Sequence, residues 1–460
     1  MAERFDVIIV GARCAGSPLA ILLARAGLRV CVVDRARFPS DTASTHGVQP
    51  SGVKILDQLG VLEPLLTVTP AIERATIAFD DARVDTDFTA LVGAPMVSAR
   101  RVTLDAILLE AAAASGAEVR TQTAITGLVE DRGRVAGVKT KSGELCAPLV
   151  VGADGIRSAV ARFVGAGEYH QTPAGRIFTW AYFEGAGADD GHMWLGGIGD
   201  HGFLAFPTDA GLFMAAVVPS IERRGEVLND REAVHAAELA HWPELEATVA
   251  GASRVGPIRV MSRDGFFRES AGPGWVLVGD AGHFKDPTPG QGISDALRQA
   301  VELAPAVERA LGGARDADRE LHDWWCWRDR DAWEMYWFAH DMGAPGPPPL
   351  LIQEIQRRIA ADPELTDALL RVLNHELPPS TVFTPALALS ATGRALLTSP
   401  GQRRTLLREV QTIAVNNWRR RAPSHPSPAA RRQHSVRDLR RSRLDRQSNG
   451  GVRRRGAAVP

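Results

Sequence analysis

The chain has 460 residues, 45% of them hydrophobic and 23% charged, an ordinary globular balance with length enough for two domains and a large core. Its formal charge of −1 conceals a division: residues 419–460 hold 13 Arg against Asp438 and Asp445, a net of +11, which leaves residues 1–418 at a net of −12. An acidic body argues against broad nucleic-acid binding, the four cysteines (Cys14, Cys31, Cys146, Cys326) fit neither a disulfide framework nor a zinc pattern and favour a cytoplasmic setting, and no apolar run approaches the roughly 20 residues of a membrane span.

Residues 5–10 form a short β-branched run that reads as a buried parallel strand, too short and too charged at its start for a signal peptide. A turn at 11–16 and an Ala/Leu-rich helix at 17–26 follow, and Gly27 ends the helix. Residues 28–33 make a second strand closed by Asp34, completing a βαβ unit. Residues 51–66 read as a helix with Val53, Leu56, Leu59 and Leu62 on one face, and residues 104–114 as another, ended by Ser115-Gly116. A hairpin is expected from 119–129 and 134–141, and a buried strand at 149–152. Residues 177–183, 192–195, 202–206 and 212–218 are aromatic and β-branched runs between glycines, the pattern of an antiparallel sheet. A core strand at 275–278, a Gly/Pro loop and a helix at 294–311 come next. Residues 320–417 look helical apart from a Pro-rich break at 345–349. From residue 419 the Arg, Ser, Pro and Gly content predicts a disordered basic tail, either a solvated extension or a weak contact for nucleic acid or another anionic surface.

The first chemistry lies in Gly11-Ala12-Arg13-Cys14-Ala15-Gly16. A strand that ends in Gly and opens a helix directs backbone N–H groups and the helix dipole at a phosphate. The first and third glycines of the dinucleotide pattern are present, while Arg13 replaces the second. Arg13 either pairs with a phosphate or narrows the approach. Asp34, 23 residues after Gly11, is placed to accept hydrogen bonds from a ribose of FAD or NAD and disfavours a 2′-phosphate there.

Two further segments, Val150-Val151-Gly152-Ala153-Asp154-Gly155 and Val278-Gly279-Asp280-Ala281-Gly282-His283 continuing to Pro289-Gly290-Gln291-Gly292-Ile293-Ser294, stand in order with Arg101-Val102-Thr103-Leu104-Asp105. Together these blocks resemble the single-component FAD-dependent monooxygenases of the para-hydroxybenzoate hydroxylase-like group, relatives of geranylgeranyl reductases and flavin-dependent halogenases. The likeness runs from residue 5 to about 305. It implies an α/β fold: an FAD-binding Rossmann-like domain (1–74, 99–163, 268–318) interrupted by an antiparallel-sheet substrate domain (75–98, 164–267), then a helical C-terminal region (319–417). It also implies a set of FAD contacts. These are Gly11, Ala12, Arg13, Ala15, Gly16, Asp34 and Arg35 at the first turn, Arg101 at the phosphates or ribityl chain, Ile125 at the adenine, and Asp154 in a turn serving FAD and the nicotinamide donor. Asp280 would hold a ribityl or ribose hydroxyl, and Gly290, Gly292, Ile293 and Ser294 would face the flavin ring. Two of these positions keep a second reading: Arg101 as an ion-pair partner of Asp105, one turn along, and Asp154 as a helix cap.

The implied reaction consumes NADH or NADPH and dioxygen and hydroxylates a small apolar or aromatic molecule through a flavin C4a-hydroperoxide, with no metal and no covalent protein nucleophile. Acid/base candidates are His46, His283 and Lys285. Trp180, Phe183, Trp194, Phe203 and Phe206 either line a substrate pocket or simply pack the sheet. Trp324, Trp325, Trp327, Trp333, Tyr336, Trp337 and Phe338 read as packing anchors. The competing functions are a geranylgeranyl-reductase-type FAD reductase and a non-catalytic binding protein on the same fold. A halogenase is disfavoured because no Trp-x-Trp-x-Ile-Pro motif is present.

Overall fold

The computed structural model describes residues 3–44, 46–189, 191–313 and 316–420. At its centre is a six-stranded sheet in the order Ala271–Gly272, Trp275–Leu277, Leu149–Gly152, Val7–Val10, Val30–Val33, Glu118–Arg120. All its pairings are parallel except the short outer one between Ala271–Gly272 and Trp275–Leu277. Val7–Val10 is buried along its whole length, as a strand flanked by parallel neighbours and covered on both faces must be. Helices Gly16–Arg25, Arg101–Ala114 and Gly292–Leu311 cover one face, and their buried Leu19, Leu104 and Leu297 join Val7, Ile9 and Val151 in one core. Each such side chain contributes about 1.5–3 kcal/mol on burial.

A seven-stranded sheet, ordered Ser253–Met261, Phe178–Glu184, Leu212–Val218, His201–Pro207, His192–Ile198, Arg74–Phe79, Ala82–Asp87, forms the second layer. It is antiparallel except where His192–Ile198 runs parallel to Arg74–Phe79. Helices Ala317–Met342, Leu350–Ala361, Pro363–Leu373, Pro385–Thr398 and Arg403–Arg419 complete the chain's described part.

The structure corrects the sequence reading in several places. The run at 119–129 is not one hairpin strand: Glu118–Arg120 belongs to the six-stranded sheet and only Ile125–Asp131 pairs with Arg134–Thr140. Between them the chain is pulled aside by hydrogen bonds from the Gln122 amide to the Ala36 carbonyl (2.9 Å) and from the Thr123 amide to the Asp34 carbonyl (2.7 Å). The helix expected at 51–66 breaks into Pro50–Gln58 and Leu62–Leu66, because Gly60 takes φ +71° and turns the chain. Strand Ser253–Met261 went unpredicted. Regular helix runs to Arg419, and residues 421–460, where most of the basic tail is expected, lie outside the described residues.

Candidate functional site

The site begins where Val7–Val10 ends. Gly11 takes φ +107°, and a Cβ there would sit 2.4 Å from the Ala153 carbonyl oxygen. A Cβ on Gly16 would sit 1.8 Å from the Gly11 oxygen. The turn is therefore sealed to side chains at both glycines, which lets the segment beginning at Ala153 lie against it. The Asp34 carboxylate fixes the same turn, accepting the Ala12 amide at 2.8 Å and the Ala36 amide at 2.7 Å. Each of its oxygens retains a lone pair for a ligand hydroxyl.

Arg13 and Arg101 meet on one buried carboxylate. Asp105 accepts Arg13 Nη1 at 2.5 Å and Arg101 Nη2 at 2.9 Å, and its side chain is 0% exposed. The helical ion pair of Arg101 is thus real, while both arginines still border the cavity. Arg13 is further held by the Ser40 hydroxyl at 2.8 Å and lies over the Phe38 ring, which swings it off the line of the turn. Its long side chain leaves the approach open instead of filling the place of the missing glycine.

A cavity of about 890 Å³ opens along these elements, within the size range of cofactor sites. Gly11, Arg13, Ala15, Asp34, Arg35, Arg101, Ile125, Asp154, Asp280, Gly290, Gly292 and Ile293 line it, together with His46, His283 and Lys285. Ala12, Gly16 and Ser294 are not among the residues that line it. Ala12 donates its amide to Asp34, Gly16 packs on Gly11, and the Ser294 hydroxyl turns away to accept the Gln49 amide at 3.0 Å.

Asp280 sits on the turn Gly279–Ala281, which Gln299 anchors by accepting the Gly279 amide at 2.9 Å. Burial pushes the Asp280 carboxyl up to about 6, with Arg101 pulling it down and Asp295 adding to the rise. Helix Gly292–Leu311 starts without a side-chain cap, so its first-turn N–H groups are open to a negative charge at the cavity. Gln291 holds that start by donating to the carbonyls of Val372 (3.2 Å) and Leu373 (2.7 Å). Lys285 donates to Gln291 Oε1 at 2.5 Å and pairs with Asp295 at 2.7 Å, and His375 bonds Asp295 at 3.1 Å. Burial opposes charge on Asp295, but Lys285 and His375 hold it well below the ordinary carboxylate range. Lys285 is thus built into a strut, not free as an acid/base group.

Asp154 braces the start of the following helix, accepting the Ser158 hydroxyl at 2.5 Å and the Ala159 amide at 2.6 Å, while Ser158 itself caps the helix by accepting the Ala161 amide. Burial raises its pKa, with those bonds pulling the other way. His46 is 1% exposed, takes φ +54°, stacks on Tyr182 and shares a hydrogen bond with its hydroxyl through Nε2. Its Nδ1 is a buried atom without a protein partner. Burial first, then Arg101, lowers its pKa to about 3, so the ring is neutral at ordinary pH. His283 is likewise held neutral by burial and by Arg328 and Lys285, and its Nε2 also lacks a protein partner.

The aromatic strands do not form a pocket wall. Trp180 and Phe206 pack toward the C-terminal helices, and Phe183, Trp194 and Phe203 toward Trp242 and Leu245. The sheet is covered on both faces, so alternation puts aromatics in two cores. The cavity's far wall comes from residues that sequence reasoning missed: Ile177, Val227, Leu228, Val260, Met261, Arg224 and Arg263. The only signal was the β-branched run at 258–260, obscured by Gly256-Pro257. The Trp-rich helix acts as packing, with Trp324 and Trp325 in the main core and Trp333 and Tyr336 against Phe267.

Among the described residues one group, His201, Glu238 and His241, brings metal-ligand atoms within 4.8 Å. The two imidazoles stack at 3.6 Å and 15°, so their in-plane lone pairs run parallel instead of converging on an ion. Glu238 already pairs with Arg223 and His201.

The cradle, with its sealed glycine turn, cavity-lining Asp34 carboxylate and uncapped helix start on one cavity, fits FAD. A menaquinone reductase from Mycolicibacterium smegmatis is 30% identical over 327 residues, 66% of this chain and 77% of that protein. A rifampicin monooxygenase from Streptomyces venezuelae is 29% identical over 331 residues, 67% of this chain and 65% of that protein. The solved structure of a flavin-dependent brominase matches with a TM-score of 0.70 at 20% identity, over 85% of this chain and 99% of that one, a likeness of fold. The family model described as an FAD binding domain matches residues 4–328, more than half of the chain, and the protein belongs to that family of flavin-dependent oxidoreductases.

Proposed function

We propose that the protein is a monooxygenase that uses NADH or NADPH and dioxygen to hydroxylate a small apolar or aromatic organic molecule in the cytoplasm. The observation that carries this reading is the one cavity that joins the phosphate-binding turn, the Asp280 turn and the uncapped helix start to a wall in which Ile177, Val227, Val260 and Met261 stand beside Arg224 and Arg263. FAD held in this cavity would supply the redox chemistry that links a nicotinamide donor to oxygen. The chain supplies placement and electrostatics. The backbone at Gly11 and Ala15 and the ion-paired Arg13 and Arg101 receive the pyrophosphate, and Asp34 and Asp280 receive hydroxyls. The uncapped amides of Gly292 and Ile293 line the cavity and would stabilise negative charge on a ring bound there. His46, neutral and braced by Tyr182, offers a hydrogen bond and not a cation. Ile177, Val227, Val260 and Met261 supply apolar surface for an organic substrate, with Arg224 and Arg263 beside them.

A second reading, reduction of a double bond or quinone without oxygen transfer, is favoured by the similarity to the menaquinone reductase. One experiment separates the two. The purified protein is loaded with FAD and reduced anaerobically by NADH or NADPH in the presence of a panel of phenols, polycyclic aromatics and quinones, and air is then admitted. Oxygen in the product establishes the monooxygenase. Product formed before air enters establishes the reductase. A colourless protein that takes up no FAD refutes both.

A further inference from the structure

Of the nine large apolar side chains exposed among the described residues, five lie on the last two helices: Leu389 and Leu397 on Pro385–Thr398, and Leu407, Val415 and Trp418 on Arg403–Arg419. Leu397 is 81% exposed and Trp418 66%. The inner faces of these helices are separately filled, by Ala391, Ala395 and Leu406 with Val410 and Ile413 beside them. Arg420 fixes the roll of the last helix: its carbonyl accepts Trp333 Nε1–H at 2.6 Å and its guanidinium pairs with Asp341 at 2.7 Å. The outward set therefore cannot be hidden by rotation. At about 100° per residue, Arg404, Leu407, Arg408, Gln411, Val415 and Trp418 share one stripe roughly 100° wide. An ordinary surface helix shows solvent a polar stripe there.

Charge singles out the same end of the chain. Residues 1–418 carry a net of −12, and residues 419–460 a net of +11. We propose that this C-terminal face docks the protein on an anionic lipid bilayer, with the leucines and Trp418 entering the boundary between headgroups and acyl chains and the arginines meeting lipid phosphates. Nucleic acid would satisfy the arginines but leave the leucines in water. A second copy would cover the leucines but bring two strongly basic segments together. An anionic bilayer accommodates both features: helices Pro385–Thr398 and Arg403–Arg419 themselves hold Arg394, Arg403, Arg404, Arg408 and Arg419 against Glu409, and an apolar face among basic side chains is the two-part anchor that stable peripheral binding requires. The inference does not depend on which reaction the flavin site performs.

The test is co-sedimentation of the full-length, FAD-loaded protein with vesicles of phosphatidylcholine alone or with one third phosphatidylglycerol, at low salt and at about 0.5 M NaCl, where screening is strong. We expect binding at least tenfold stronger to the anionic vesicles, weakened by salt. It should fall at least fivefold in the double variant Leu407→Ser/Trp418→Ser and in Leu389→Ser/Leu397→Ser, with flavin content and thermal melting unchanged. Equal binding to both vesicle types overturns the proposal. So does anionic binding that both variants retain in full, which would leave the apolar face without a role. Concentration-dependent dimerisation by light scattering that the variants abolish, with no vesicle binding, assigns the face to a second copy and overturns it as well.

Discussion

His46 makes the stability of this protein depend on pH in a way that can be calculated. Its pKa falls from 6.5 to about 3 on folding, with burial the main cause. As pH drops, the unfolded chain therefore takes up a proton before the native state does, and stability falls with it. The contribution is fully present above pH 6.5 and is lost progressively down to pH 3. With about 1.4 kcal/mol for each pH unit, the loss is about 2 kcal/mol at pH 5 and about 4 kcal/mol at pH 3. His46→Asn is the informative substitution: Asn tolerates the left-handed backbone at φ +54° and does not titrate. Urea unfolding of both proteins, saturated with FAD, at pH 7 and pH 5 gives the gap between them at each pH. His283 titrates in both and cancels. The gap should shrink by about 2 kcal/mol at pH 5. A gap that stays constant within about 0.5 kcal/mol would show that the imidazole is solvated, and the neutral-ring role of His46 at the cavity would fall with it.

Asp105→Asn leaves Arg13 and Arg101 without their shared buried anion, so unfolding free energy should drop by about 3–5 kcal/mol; a loss under about 1 kcal/mol would mean the arginines find other partners. Gly11→Val puts a branched side chain against the Ala153 carbonyl at φ +107°, and the purified variant should hold less than about a tenth of the parent's flavin by absorbance, since the backbone can no longer approach the phosphates. Asp34→Ala frees the amides of Ala12 and Ala36, at about 1–3 kcal/mol each, and should weaken FAD binding more than tenfold in a fluorescence titration. His46→Ala should lower the turnover rate to a degree that varies with substrate while flavin content stays intact, and unchanged turnover would remove this residue from the site.

The parts of the site that were legible in the sequence are those made by local rules. The first βαβ unit, Asp34 and the Gly290–Gly292 turn each announce themselves through turn chemistry and spacing, and the structure sets them on one cavity. What escaped depends on distant pairing. Nothing local in Asp105 indicates that it receives Arg13 from 92 positions away. Asp154 reads equally as ligand or cap until Ser158 and Ala159 are seen to bond it. The aromatic strands pack the two faces of their sheet; alternation reports burial, and burial on both faces of a sheet reads equally as packing or as a lined pocket. The true far wall includes an edge strand whose Gly256-Pro257 step breaks the pattern that marks strands.

The tie from Gln291 and Asp295 to residues 372–375 has a consequence for how the molecule can be cut or recombined. The family match ends at residue 328, yet the segment that aims the helix start at the cavity lies more than forty residues beyond that boundary. A fragment trimmed to the recognisable core would keep its phosphate turn whole and leave that helix end unbraced, so it should still tint faintly with flavin while losing control of the ring's electronic environment. A different C-terminal region grafted onto the same core would, by the same reasoning, have to supply its own brace for that helix start.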